Sequence, residues 1–295
     1  SSSCSRSCFK FKFFMIIWLA SYPKSGNTWL RAMIASYFYT NDGIFNFNVL
    51  EQIDQFPSFT HFENYDDKFE RPESTTKFWF DAQTKINKDK KLKFFKTHNA
   101  LCKIEDNEFT DKRNTLGAIY IIRDPRNVLT SIANHFDKNI DQALEFMRDE
   151  KRCLIHKDKD RYLGFIPLFT WAQHQKSWVK TKRFPILTIR YEDLQTQTFQ
   201  VFKNVLDFIK SISKLNLPLD KEKVKKVVQS CDFYQMQRLE KKQGFRESVM
   251  TKDKSSNINF FNLGPSNNYK ELLDKKTITK MNNLFQNQLK EFNYE

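Results

Sequence analysis

The sequence predicts an α/β fold: a central parallel sheet flanked by helices, in three layers. Three observations carry this. Four short runs, residues 15–20, 92–96, 118–122 and 186–189, are apolar on both faces and rich in Ile and Phe, the pattern of strands buried on both sides. Between them lie stretches with apolar residues at helical spacing, such as Leu30, Met33, Ile34, Tyr37 and Phe38. Strands alternating with helices give a parallel sheet covered on both faces.

The elements follow in order. The first strand leads through the glycine-containing loop 21–29 into a helix beginning near Trp29. Residues 40–91 then form a long insertion with Phe56, Phe59, Phe62, Tyr65, Phe78, Trp79 and Phe80. The strands at 92–96 and 118–122 come next, the latter followed by a helix through Val128, Leu129 and Ile132. A second insertion, 139–177, carries Phe146, Tyr162, Phe165, Phe169 and Trp171. These aromatics suit core and lid packing, and the insertions are the best candidates for an acceptor pocket. After the strand at 186–189, Phe199, Phe202, Val205, Leu206 and Ile209 mark another helix, and the chain from Val224 onward reads as helical, with Leu272, Leu273, Ile278, Met281, Leu284, Phe285 and Leu289 on one face.

No linker or composition shift divides the chain, so residues 15–295 read as a single domain. Residues 1–14, rich in Ser, Cys, Phe and Lys without periodicity, read as a disordered or non-native extension, with Met15 as the biological start. Of 295 residues, 40% are apolar and 28% charged, which excludes disorder as the main state. The net charge of +14 favours phosphate-bearing partners without choosing among them, and an AT-rich codon bias accounts for part of it. The five cysteines form neither a CxxC pair nor a zinc-spaced cluster, which points to a reducing, cytoplasmic setting. Lys10 and Lys12 interrupt the N-terminal apolar run, so no membrane span is expected, and a signal peptide cleaved after that run would destroy the loop that follows it.

In parallel sheets ligands bind at the carboxyl ends of the strands. After the first strand stands Ser21-Tyr22-Pro23-Lys24-Ser25-Gly26-Asn27-Thr28-Trp29. A helix start presents unsatisfied N–H groups, Gly26 allows close approach of an anion, and Lys24, Ser25 and Thr28 add donors. A plain strand-to-helix turn would need none of these donors. The order Lys-Ser-Gly is not a Walker A motif, which disfavours Mg²⁺-dependent NTP hydrolysis. After the third strand, Arg123 and Ser131 converge on a second anion site. Asp124 before Pro125 reads as a helix cap, and Arg126 as solvated surface.

These segments resemble the cytosolic-type sulfotransferases, in a bacterial-like form. Their donor is 3′-phosphoadenosine 5′-phosphosulfate (PAPS). The family's 5′-phosphosulfate loop is matched by Tyr22 to Trp29, its 3′-phosphate Arg and Ser by Arg123 and Ser131, its Lys-Thr-His strand end by Lys96-Thr97-His98, and its Tyr-Glu-Asp by Tyr191-Glu192-Asp193. The resemblance implies a P-loop-NTPase-like three-layer fold and transfer of a sulfuryl group from PAPS to a hydroxyl or amine. It implies His98 as general base, with Lys24, Lys96 and Ser131 organising the donor. The chemistry of these side chains agrees: the transfer needs a base near neutral pH and cations where negative charge develops. No metal is required, because the leaving group departs as a stabilised phosphate. The resemblance further implies that Ser25, Gly26, Asn27, Thr28, Trp29, Tyr191, Phe233 and Gly264 contact the nucleotide. His61, His135, His156 and His174 match no catalytic position and suit ordinary surface or helix roles.

The family's C-terminal Arg-Lys-Gly segment, which holds the 3′-phosphate, is here Asn262-Leu263-Gly264. Losing such a contact costs about 1.5–3 kcal/mol unless it is replaced. Arg246, Lys252 or Lys254 are the candidates for replacing it, from a loop (residues 244–259) expected to close over the donor. The family's C-terminal dimer motif is absent, so the oligomeric state stays open. The expected acceptor is a small molecule with a hydroxyl: aromatic, steroid-like or a saccharide. A kinase-like phosphotransferase using the same loop with ATP is the alternative. A nucleic-acid-binding protein is a third, for which no recognised module is present, so no nucleic-acid partner is expected.

Overall fold

The computed structural model describes residues 15–215, 218–251 and 253–295; the reading of residues 1–14 falls outside them, as does that of Lys252. The chain begins with β1 (Ile16–Ser21) and α1 (Asn27–Tyr39), followed by 3-10 turns and α2 (Trp79–Ile86). β2 (Lys93–Thr97), a short hairpin β3 (Lys103–Ile104) and β4 (Asn107–Glu108), and β5 (Thr115–Ile122) lead to α3 (Pro125–His135) and α4 (Ile140–Arg148). The hairpin β6 (Cys153–Asp158) and β7 (Arg161–Pro167), α5 (Trp171–Val179), β8 (Ile186–Arg190), α6 (Tyr191–Thr196) and α7 (Thr198–Ser213) come next. α8 (Lys221–Ser230), α9 (Phe233–Gln243), the hairpin β9 (Val249–Met250) and β10 (Asn257–Ile258), and α10 (Tyr269–Leu272), α11 (Lys275–Leu284) and α12 (Gln286–Glu291) complete it.

The four apolar runs are the four strands of one parallel sheet, in the order β2-β1-β5-β8. β1 lies inside it and is buried along its whole length, which is why its sequence is a continuous apolar run rather than an alternating one. Successive side chains face opposite layers. Ile16, Trp18 and Ala20 join the layer containing Trp79, Trp171 and Trp178, and Ile17 and Leu19 join the layer containing Leu30, Met33, Phe202 and Val205. Because all four strands run the same way, their carboxyl ends, at Ser21, Thr97, Ile122 and Arg190, open on one edge.

The insertion 40–91 packs Phe56, Phe62 and Trp79 on the core, and residues 54–56 run beside β2: the Lys96 N–H donates to the Asp54 carbonyl and the Phe56 N–H to the Lys96 carbonyl, both at 2.9 Å. The stretch after Val224, read as helical, is instead interrupted by the β9/β10 hairpin, since the Lys/Ser/Asn-rich residues 252–257 offer no apolar stripe to bury. Asp124 caps α3 as expected, accepting from the Arg126 N–H. Arg126 is not solvated surface: it is 4% exposed, its Nη2 donates to the Asp124 carboxylate at 2.7 Å and to the Tyr294 carbonyl, and its Nη1 donates to Asn282. The C-terminal helices fold back over α3 and bury it, a contact more than 150 residues away in sequence. Among the described residues no helix is long and apolar enough to cross a membrane.

Candidate active site

One cleft opens at the strand ends. Its floor is the loop between β1 and α1. Gly26 caps α1 with φ of 102°, and a Cβ built there would lie 2.5 Å from the Tyr191 ring, so glycine is required both by conformation and by space. α1 has no side-chain cap and no acidic residue in its first turn, which leaves its N–H groups and positive dipole end directed at the cleft. Asn27 clamps the loop to β1, its Nδ2 donating to the Leu19 carbonyl at 2.8 Å and to Ser21 Oγ, while its Oδ1 has no partner among the described residues. Lys24 adopts φ of 64°, a strained conformation for a residue with a Cβ, and its ammonium lies 3.8 Å over the Phe260 ring.

Arg123, at the end of β5, reaches across to donate to the Lys24 carbonyl at 3.0 Å and stacks 4.2 Å from the Tyr191 ring. Trp29 meets Tyr191 edge to face. Ser131 and Asn134, one turn apart on α3, line the same cleft, with Phe233, Phe260, Phe261, Asn262 and Gly264 opposite. Several buried donor atoms have no partner among the described residues: Trp29 Nε1 and Arg123 Nε on the cleft lining, and Ser25 Oγ and Arg31 Nε on the loop and helix that form its floor. Each such orphan costs about 1–3 kcal/mol, and a surplus of donors suits a ligand made of acceptors, such as phosphate oxygens.

At the end of β2, Lys96 and His98 enter the cleft. His98 donates from Nδ1–H to the Ser21 carbonyl at 2.9 Å, which leaves the lone pair on Nε2. Its backbone carbonyl accepts from His174 Nε2 at 3.0 Å, and Tyr120 donates its hydroxyl to His174 Nδ1 at 2.9 Å. Burial, with Lys96 adding to it, lowers the His98 pKa to about 3, so the ring is neutral. Burial lowers Lys24 to about 7 and lowers Lys96, in both cases against the pull of Glu247.

Sequence reasoning missed several residues here. Glu247 and Arg31 form a buried ion pair at 2.5 Å. The signal for Arg31 was a charge between Leu30 and Met33 on a buried helix face, which demands a partner. His135 is not a surface residue: it lines the cleft, its Nδ1 has no partner among the described residues, and burial with Lys24 nearby lowers its pKa to about 3. His174 likewise lies fully inside, where burial lowers its pKa to about 4. His61 is half-buried and His156 stacks on Phe59. Of the candidates for replacing the lost C-terminal Arg-Lys pair, Arg246 points away to Glu51 and neither it nor Lys254 lines the cleft.

A parallel sheet whose strand ends, helix N-terminus and buried cations converge on one cleft defines an α/β protein of the P-loop-NTPase-like fold. The chain belongs to the sulfotransferase domain family, whose model matches residues 16–293. Among solved structures, mouse sulfotransferase SULT7A1 complexed with PAP shares the fold, with 20% identity and a TM-score of 0.56 over 93% of this chain and 84% of that one. Retinol dehydratase in complex with androsterone and inactive cofactor PAP does so with 16% identity and a TM-score of 0.57, covering 93% and 80%. No curated protein sequence matches.

Proposed function

We propose that the protein transfers a sulfuryl group from PAPS to a hydroxyl acceptor. The observation that carries this is the cleft itself: a surplus of unpaired donors in and beside it, with a neutral histidine at the end of β2. Lys24 and the first turn of α1 hold the 5′-phosphate, Lys96 the sulfuryl oxygens, and Arg123 with Ser131 the 3′-phosphate. Trp29, Tyr191 and Phe233 flank the adenine.

His98 removes the acceptor's proton through Nε2. Its Nδ1–H bond to Ser21 keeps the tautomer, and the His174 bond to its carbonyl holds the backbone that carries it. The acceptor enters beside Gln55, Phe136 and Leu154, an apolar wall with one amide, which suits a small alcohol with an aromatic or steroid-like body. The reading is supported by the family, and the PAP-bound neighbours agree with it. Cys102, Cys153 and Cys231 are free thiols, in keeping with a cytoplasmic setting.

The test is metal-free calorimetric titration of PAP against ADP and AMP. Micromolar binding that is lost when the 3′-phosphate is removed is the expected result. Equal ADP binding, or binding only with Mg²⁺, would instead assign the loop to a phosphotransferase.

A further inference from the structure

Glu247 is the sole acidic residue among the described residues lining the cleft. It follows α9, and its side chain reaches back over the β1–α1 loop. Its Oε1 accepts from Arg31 Nη2 at 2.5 Å, and its Oε2 accepts from Lys96 Nζ at 3.0 Å and from Thr28 Oγ1 at 3.1 Å. Oε2 is thus held by two residues that line the cleft, Lys96 and Thr28, and Oε1 by Arg31, which does not line it. The Arg31 and Lys96 side chains are only 2% and 7% exposed, so these contacts are almost shielded from water.

Lys96 is the cation that the proposed function assigns to the sulfuryl oxygens of PAPS, and Thr28 stands beside it in the first turn of α1, the segment assigned to the 5′-phosphate. One carboxylate oxygen already bridges them. A carboxylate and a sulfuryl group offer the same thing to this pair, negatively charged acceptor oxygens, and two anions sharing one ammonium at this range repel each other. Without Glu247, Lys24, Lys96 and Arg123 would line the cleft with no acidic group among the described lining residues, and Arg31 would lose its ion-pair partner, which a desolvated site tolerates poorly.

We infer that Glu247 is an internal counter-anion of the transfer site, standing where a sulfuryl oxygen of the donor binds, and that the donor displaces it from Lys96. This rests on the PAPS reading of the cleft. Displaced, the carboxylate keeps Arg31, which lies one turn further along α1 and touches no part of the proposed donor. PAP has no sulfuryl group and leaves the Glu247–Lys96 pair in place. After transfer, the returning carboxylate takes Lys96 away from the sulfated product and so assists its departure.

The experiment is calorimetric titration of PAP and of PAPS, without acceptor, into the wild-type protein and into Glu247→Gln. Removing the competing charge should tighten PAPS binding about tenfold while PAP affinity stays within about twofold. An unchanged ratio of PAPS to PAP affinity, or a PAPS affinity that falls, overturns the inference. Glu247→Asp, one methylene too short to span Arg31 and Lys96 together, serves as a second variant that keeps the charge and should shift the ratio in the same direction. If the wild-type protein binds neither nucleotide, the PAPS reading fails and the inference with it; if it binds both and neither variant changes the ratio, the inference alone fails.

Discussion

The two ends of the cleft are built differently. At the β1–α1 loop, donors stand unpaired, one backbone residue is strained at φ of 64°, and the geometry is set by the strand ends of a fully buried sheet. At the C-terminal segment 262–267 the polar groups are already satisfied. Gln237 donates to the Phe261 and Asn262 carbonyls, Asn267 accepts from Thr130 and donates to the Asn127 carbonyl, and a Cβ on Gly264 would strike the Phe233 ring at 2.3 Å. The first end is poised for an anion, whereas the second is a finished piece of packing with no cation of its own. On the proposed reading, donor affinity concentrates at the 5′ end, and Arg123 is the cation left to recognise a 3′-phosphate.

Three tests break or sharpen this contrast. The largest effect belongs to the strand ends, where the chemistry lies: His98→Ala should lower turnover about 10²–10⁴-fold while PAP affinity holds, and turnover within a few-fold of wild type would remove His98 as the base. Next comes the 3′ end. Arg123→Ala should erase the preference for PAP over ADP, a loss of about ten- to hundredfold, and Leu263→Lys should raise PAP affinity about tenfold by restoring a charge-assisted contact. A neutral result for Leu263→Lys would show that the segment stands too far from the phosphate.

The smallest effect is the pH dependence of binding. Burial sets Lys24 at about 7, and a bound phosphate raises it, so binding takes up a proton above that pH. PAP affinity should fall about tenfold from pH 7 to 8.5, because the phosphates are already ionised there and the change is the lysine's. Calorimetry in buffers of different ionisation enthalpy reads the uptake directly. Lys24→Arg should flatten the profile, since a guanidinium stays charged throughout.

Much of this was legible in the sequence because the governing forces are local. A strand buried on both faces has to be apolar throughout, so β1, β2, β5 and β8 announced themselves, and each placed its next polar residue at the cleft. Their ends shifted by up to three residues: β5 begins at Thr115, whose hydroxyl accepts from Trp18 Nε1 across the sheet at 2.7 Å, a long-range bond that periodicity does not register. The hairpin at 249–258 was missed because two residues per strand leave almost no alternating pattern to read.

By itself the sequence determined the parallel sheet, the order of its loops and which polar groups stand at the strand ends, since strand burial and glycine geometry act over a few residues. Tertiary structure alone decided which charges are buried against which. Arg126 became part of the core when the C-terminal helices folded over it, and Glu247 entered the anion site from more than 200 residues away. The reason is physical: a charge's fate depends on the neighbours that replace its water, and those neighbours are set by the folding of distant segments rather than by the residues beside it.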